Sequence, residues 1–310
     1  MEILLQCVLL VVGFVMLVKG ADWFVDGAAG IADKFGVPQL VIGLTIVAMG
    51  TSAPEAAVSI TAALKGNAGI TIGNIVGSNI LNILIILGIT SAIVAVAVAK
   101  STVRIEIPYM LFITLLLLIM GYTGNKVTFV EGIILWIAFL VYLAYLFRMA
   151  KKNKEEVVEE EQQKPLWKLI IAAVVGLVLV VWGSDVTVDA ATAIAKVLGM
   201  SERFIGLTIV ALGTSLPELF TSVSAAIKGK ADIAIGNIVG SNIFNILFVV
   251  GTTALITPVV FEANFLIDTV IAIAAGVLLL VCVWKKQKLT RPAGITMLVC
   301  YGAYFIYLLQ

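Results

Sequence analysis

Two glutamates in this chain stand where a carboxylate is costly. Glu55 closes the string GLTIVAMGTSAPE, residues 43–55, and Glu218 closes GLTIVALGTSLPE, residues 206–218. Each directly follows a proline in an otherwise apolar stretch, and an ionisable group there marks a place where ions are handled. Pro54 withholds a backbone donor, and its ring clashes with the carbonyl one turn earlier. Gly50 weakens the helix nearby. The carbonyls around Ala48 and Thr51 are therefore expected to lack helical partners. Backbone left open at membrane depth is tolerated only where something else satisfies it, such as a cation. Thr51 and Ser52 add hydroxyls. The second string repeats the set with Ala211, Thr214, Ser215, Pro217 and Glu218. A proline kink with a capping Glu would explain one copy, but not a carboxylate in both.

A polar stripe follows each string. In GNIVGSNILN, residues 73–82, Asn74, Ser78 and Asn82 fall at i, i+4 and i+8, on one face of an apolar helix. Asn237, Ser241 and Asn245 repeat it in GNIVGSNIFN, residues 236–245. Gly73 with Gly77, and Gly236 with Gly240, form small-residue stripes that let another helix approach. Asn74 and Asn237 serve equally well as ligands or as glue between helices. Asn82 and Asn245, further along the stripe, are read as ligands.

Two Glu, two Asn, hydroxyls and freed carbonyls make an all-oxygen site. That suits hard cations, and calcium's loose six-to-eight coordination better than magnesium's strict octahedron. The chain has no histidine and three cysteines without C-x-x-C spacing, which excludes a soft-metal site or a disulfide framework. Two carboxylates about 5 Å apart repel by roughly 3 kcal/mol at an effective dielectric near 20, so the pair draws in cations or protons. One divalent ion or two monovalent ions neutralise it. Competition for one pair of carboxylates is a physical basis for exchange.

The elements that hold these residues repeat as well. Residues 41–90 recur at 204–253 with a constant offset of 163, and 33 of the 50 aligned positions are identical. Of the 310 residues 61% are hydrophobic and 13% charged, and the mean hydropathy is +1.14, so lipid is the solvent for most of the chain. Apolar runs occupy 3–19, 38–63, 70–98, 104–122 and 127–149, then 167–183, 203–227, 235–258, 263–284 and 292–309. The first and sixth run on through GADWFVDGAAGIADKFG and GSDVTVDAATAIAKVLG, which predicts long, tilted helices. The expected architecture is an all-α membrane protein of ten transmembrane helices. A five-helix repeat at 1–149 and another at 167–310 flank a linker at 150–166. Because five is odd, the second repeat must be inverted, which places a binding site near the bilayer midplane between the two.

Basic residues set the orientation. Sixteen lie on the side that holds the linker and four on the side that holds both termini, so the termini are expected outside and the linker in the cytoplasm. The linker, AKKNKEEVVEEEQQKPL, reads as a solvated tether. The N-terminus lacks the basic start of a signal peptide and is read as the first span. Asp22 with Asp26, and Asp185 with Asp189, are expected in contacts at helix ends. Trp23, Trp136, Trp167 and Trp182 are expected as interfacial anchors. A net charge of +1 gives no reason to expect nucleic acid.

In GTSAPE and GTSLPE, each paired with GNIVGSN, the chain resembles the sodium/calcium exchangers of the cation/calcium exchanger superfamily, over both halves. The resemblance implies electrogenic exchange of sodium for calcium by alternating access across the cell membrane. It implies calcium on the side chains of Glu55 and Glu218 and the carbonyls of Thr51 and Thr214. It implies sodium on Ser52, Ser78, Ser215 and Ser241, the carbonyls of Ala48 and Ala211 and the two Glu, with Asn82 and Asn245 lining the centre. Asn245, where potassium-dependent relatives carry Asp, is more like the potassium-independent animal exchangers. Calcium/proton antiporters of the superfamily usually carry a GNATE-like string instead. No cofactor beyond the transported ions is implied, and no obligate protein partner is evident.

A cation channel would use the same ligands, but repeats within one chain fit alternating access better. An intramembrane hydrolase would have use for two carboxylates and none for the Asn, Ser and carbonyl ligands, so no enzyme is expected.

Overall fold

A computed structural model describes residues 2–66, 68–152, 164–199 and 211–308. Among these, seven helices are long and apolar enough to cross a membrane. They are α1 (Glu2–Phe35), α4 (Gly69–Ile93), α5 (Thr102–Gly124), α6 (Phe129–Lys152), α7 (Leu166–Val197), α9 (Ala231–Ile256) and α10 (Ala263–Trp284). An eighth span is broken: α2 (Gln39–Thr51) and α3 (Ala53–Leu64) meet at 49° beside Pro54. Of the equivalent expected span, 203–227, the described residues show a short helical piece, Ala211–Gly213, followed by α8 (Leu216–Ile227). The last expected span is the helix α11 (Arg291–Leu308), which an initial Arg-Pro and three tyrosines make less apolar. Most of the linker lies outside the described residues.

The first and sixth helices are long, as expected, at 34 and 32 residues. Each spans about 50 Å at 1.5 Å per residue, more than a hydrocarbon core of about 30 Å, a length that tilt or extension beyond the core accommodates. They pack on each other through glycines seven residues apart. A Cβ at Gly20 would lie 2.8 Å from the Val180 nitrogen, and one at Gly183 would lie 3.1 Å from the Gly13 carbonyl. Rising numbers on α1 meet falling numbers on α7, so these equivalent helices run antiparallel.

The halves also exchange partners. Strand β1 (Val96–Ala97) pairs with β4 (Lys288–Leu289), and β2 (Lys126–Val127) pairs with β3 (Val259–Val260), all antiparallel. Val96 stands opposite Leu289 and Val127 opposite Val259, so each pairing is the other with the copies swapped. The left-handed residues Asn125 (φ 50°) and Gln287 (φ 47°) precede β2 and β4 and correspond likewise. The offset is 163 from β1 to β3 but 162 from β2 to β4. One residue is inserted between β1 and β2, and Thr102–Glu106, the first turn of α5, is π-helical. A π-bulge is a one-residue insertion accommodated within a helix.

Of the four tryptophans expected as anchors, Trp23, Trp167 and Trp182 are exposed on the apolar surface. Trp136 departs from expectation. It meets Phe139 edge-on and Phe248 at a tilt, and donates its indole N–H to Thr252 at 3.1 Å, so it is a packing residue.

A candidate cation site between the two halves

The core at the centre of the bundle is polar. Glu55, Glu218, Ser52, Thr51, Asn82, Asn245 and Ser241 are fully inaccessible to solvent, and Ser78 and Ser215 nearly so. The break at Pro54 starts α3 with Glu55 in its first turn, and Pro217 does the same for Glu218 in α8. Asn82 and Asn245 each open a π-helical segment, at Asn82–Ile86 and Asn245–Val250. Such segments rotate the side chains that follow relative to a regular helix.

Contacts cross from one half to the other. Ser52 Oγ donates to Glu218 Oε1 at 2.9 Å. Ser78 Oγ donates to Glu55 Oε1 at 3.3 Å and lies 3.4 Å from Ser215 Oγ. Ser241 Oγ donates to the Ala48 carbonyl at 3.3 Å, and Thr51 Oγ1 reaches Asn237 Oδ1 at 3.0 Å. Thr214 is half-buried with its side chain against Glu55. Of Ala211 only the backbone falls within the described residues.

The Ala48 carbonyl corrects one expectation. It is not without a helical partner, because the Ser52 N–H reaches it at 3.0 Å. Pro54 withholds its donor from the residue four before it, Gly50, rather than from Ala48, and a capping backbone N–H reaches the Gly50 carbonyl instead.

Asn74 and Asn237 brace the broken helices. Asn74 Nδ2 donates to the Glu55 carbonyl at 3.2 Å and to Ser59 Oγ at 2.9 Å. Asn237 Nδ2 does the same to the Glu218 carbonyl at 3.4 Å and Ser222 Oγ at 2.9 Å.

Asn79 and Asn242, which the sequence reading passed over, hold the centre. Asn82 Nδ2 donates to Asn242 Oδ1 at 2.9 Å and Asn245 Nδ2 to Asn79 Oδ1 at 3.1 Å. Both were visible as the second Asn of GNIVGSN, but they lie off the i, i+4, i+8 stripe. With those amide donors engaged, the atoms left over are all acceptors. Glu55 Oε2, Glu218 Oε2, Asn82 Oδ1 and Asn245 Oδ1 are buried without a hydrogen-bond partner. An unpartnered buried oxygen costs about 1–3 kcal/mol, and four of them with no donor among them suit a cation.

Among the described residues no group of three or more His, Cys, Asp or Glu is placed to hold a metal. The centre therefore has two carboxylates and relies on neutral oxygens for the rest.

Apolar spans around two buried carboxylates define an integral membrane transport protein. The chain belongs to the sodium/calcium exchanger family, whose sequence model, described as "Sodium/calcium exchanger protein", matches residues 5–148 and 168–310. It is 32% identical over 343 residues to the sodium/calcium exchanger MaX1 of Methanosarcina acetivorans, covering 97% of each chain. It is 39% identical over 267 residues to the inner membrane protein YrbG of Escherichia coli, covering 82% of this chain and 81% of that one. Among solved structures, the sodium-calcium exchanger NCX_Mj soaked with 10 mM Na+ and zero Ca2+ superposes with a TM-score of 0.84 at 31% identity, over 97% of this chain and 98% of the other.

Proposed function

We infer that this protein is a secondary active antiporter that exchanges Na+ for Ca2+ across the cell membrane by alternating access. The observation that carries the reading is the set of four unpartnered acceptor oxygens, two from each half, on Glu55, Glu218, Asn82 and Asn245. Ca2+ takes the two carboxylates with the carbonyls of Thr51 and Thr214. Na+ takes the same carboxylates with Ser52, Ser78, Ser215, Ser241 and the carbonyls of Ala48 and Ala211. Both ions need Glu55 and Glu218, so each displaces the other, which couples the two fluxes.

The architecture proposed for this is ten helices in two inverted repeats, 1–149 and 167–310. The antiparallel packing of α1 on α7 and the swapped strand pairings support it. The proposed orientation puts both termini outside and the linker 150–166 in the cytoplasm, following the basic residues. Inverted halves of one chain can open to opposite sides in turn.

The test is ⁴⁵Ca²⁺ uptake into proteoliposomes loaded with Na+, K+ or choline, with and without a pH gradient. Uptake that requires internal Na+ is expected. Uptake driven by the pH gradient instead would make the protein a Ca2+/H+ antiporter, and uptake regardless of counter-ion would make it a channel.

A further inference from the structure

Away from the central site, a charged contact ties α1 to the end of α8. Lys228 Nζ lies 2.8 Å from Asp26 Oδ1 and 3.3 Å from Asp22 Oδ1, and donates to the Asp22 carbonyl at 2.9 Å. Ser224 Oγ donates to Asp22 Oδ1 at 2.7 Å. Every one of these residues has an equivalent at the constant offset of 163. Asp185 and Asp189 stand on α7, Thr61 stands on α3, and Lys65 caps α3. The chemical types are kept: two carboxylates, a hydroxyl and a lysine. Yet among the described residues Thr61 and Lys65 make no hydrogen bond or ion pair with Asp185 or Asp189. All four side chains of this second set are exposed.

The types and spacing of these polar groups do not distinguish the two sets, so the difference between them is one of conformation. The sets also face opposite ways. Gly27 packs against Ala173 and Gly13 against Thr187, and the two contacts are about 20 Å apart along α1. Asp26 adjoins the first contact and Asp189 the second, so the two sets stand near opposite ends of the α1–α7 pair. One end is therefore bridged while its equivalent at the other end is open. Further along α1, Phe14 meets Phe220 of α8 with ring centroids 6.1 Å apart, where the other copy has Leu177 and Ala57. That additional apolar contact favours closure on the Lys228 side.

We propose that the two sets are alternating latches. Lys228 and Ser224 on Asp22 and Asp26 hold one side of the protein shut, and Lys65 and Thr61 close on Asp185 and Asp189 when the other side shuts. Inverted halves that exchange conformations exchange these contacts with them. Exposed ion pairs are weak, so each latch biases the balance between the two states and still breaks on every cycle. The latches require the alternating access proposed above and are indifferent to which ion is carried.

The experiment uses the full chain in lipid nanodiscs with Cys7→Ser, Cys282→Ser and Cys300→Ser, so that pairs of spin labels can be placed. Labels at the exposed Phe35 and Ile227 report the bridged end, and labels at their exposed equivalents Leu198 and Leu64 report the open one. Distances are measured by double electron–electron resonance in Na+, in Ca2+ and without either. Lys228→Met should raise the population with a long 35–227 and a short 64–198 distance by about twofold to fivefold. Lys228→Glu, which sets a third carboxylate against Asp22 and Asp26, should raise it further, and adding Asp26→Lys should reverse that. Lys65→Met in the Lys228→Glu background should lower the same population by about twofold to fivefold. Unchanged distances in both Lys228 variants overturn the proposal. So does an opening that Asp26→Lys leaves in place. A null effect of Lys65→Met would reduce the contact to a one-sided brace and overturns it too. Ca2+ uptake that needs no Na+, in a protein whose distances respond as expected, would remove the Na+ reading and leave the latches standing.

Discussion

The side-chain amide of Asn79 donates to the backbone carbonyl of Asn242 at 3.2 Å, and the amide of Asn242 donates to the carbonyl of Asn79 at the same distance. The two residues are 163 apart and lie in helices α4 and α9. This reciprocal pair ties the halves together at equivalent points. It also leaves both Oδ1 atoms to accept from Asn82 and Asn245, which turns the Oδ1 atoms of those two residues away from the pair and leaves them unpartnered.

Asn79→Ala should therefore act on ion binding through Asn245, which loses its fixed orientation. Loss of one such hydrogen bond amounts to about 1 kcal/mol, so Ca2+ affinity should weaken by about fivefold to tenfold. Isothermal titration of Ca2+ into the purified variant checks this, and unchanged affinity would show that Asn245 does not bind the ion.

Glu55→Gln and Glu218→Gln each remove one charge and leave a fully buried neutral amide of the same shape. Charge-assisted contacts contribute about 1.5–3 kcal/mol, so Ca2+ affinity should fall about tenfold to over a hundredfold. Exchange should be lost while the purified protein stays monodisperse on gel filtration. Wild-type flux in both variants would remove these residues from the site.

The halves differ at one peripheral contact. Lys228 Nζ lies 2.8 Å from Asp26 and 3.3 Å from Asp22, and Ser224 Oγ donates to Asp22 at 2.7 Å, tying α1 to α8. The equivalent Lys65 makes no ion pair with Asp185 or Asp189 among the described residues. Partly exposed pairs contribute about 0.2–1 kcal/mol, so Lys228→Met should lower Tm slightly in thermal unfolding and Lys65→Met should leave it unchanged. Equal effects of the two would contradict the asymmetry.

Gly240 is where α9 crosses α2. A Cβ there would lie 2.8 Å from both the Leu44 Cα and the Leu44 carbonyl oxygen, and backbone cannot yield as a side chain can. Overpacking of this kind costs about 1–3 kcal/mol. Gly240→Ala should lower Tm and reduce exchange by separating Ser241 from the Ala48 carbonyl. A variant with normal Tm and flux would mean the helices part freely.

The chain alone determined the apolar spans, their repetition, the two long first helices of each half, and the two carboxylates beside their prolines. These are local matters of composition, periodicity and backbone chemistry, and a repeat with 33 of 50 positions identical states them twice. Tertiary structure decided which acceptors remain free. That Asn79 and Asn242 consume the amide donors of Asn82 and Asn245 depends on two helices about 160 residues apart meeting in one register, which no spacing within either helix encodes. The partner of the Ala48 carbonyl and the packing of Trp136 were likewise hidden. Each depends on a π-turn, a bend or a helix crossing, where a rotation of a few tens of degrees moves a side chain from one neighbour to another.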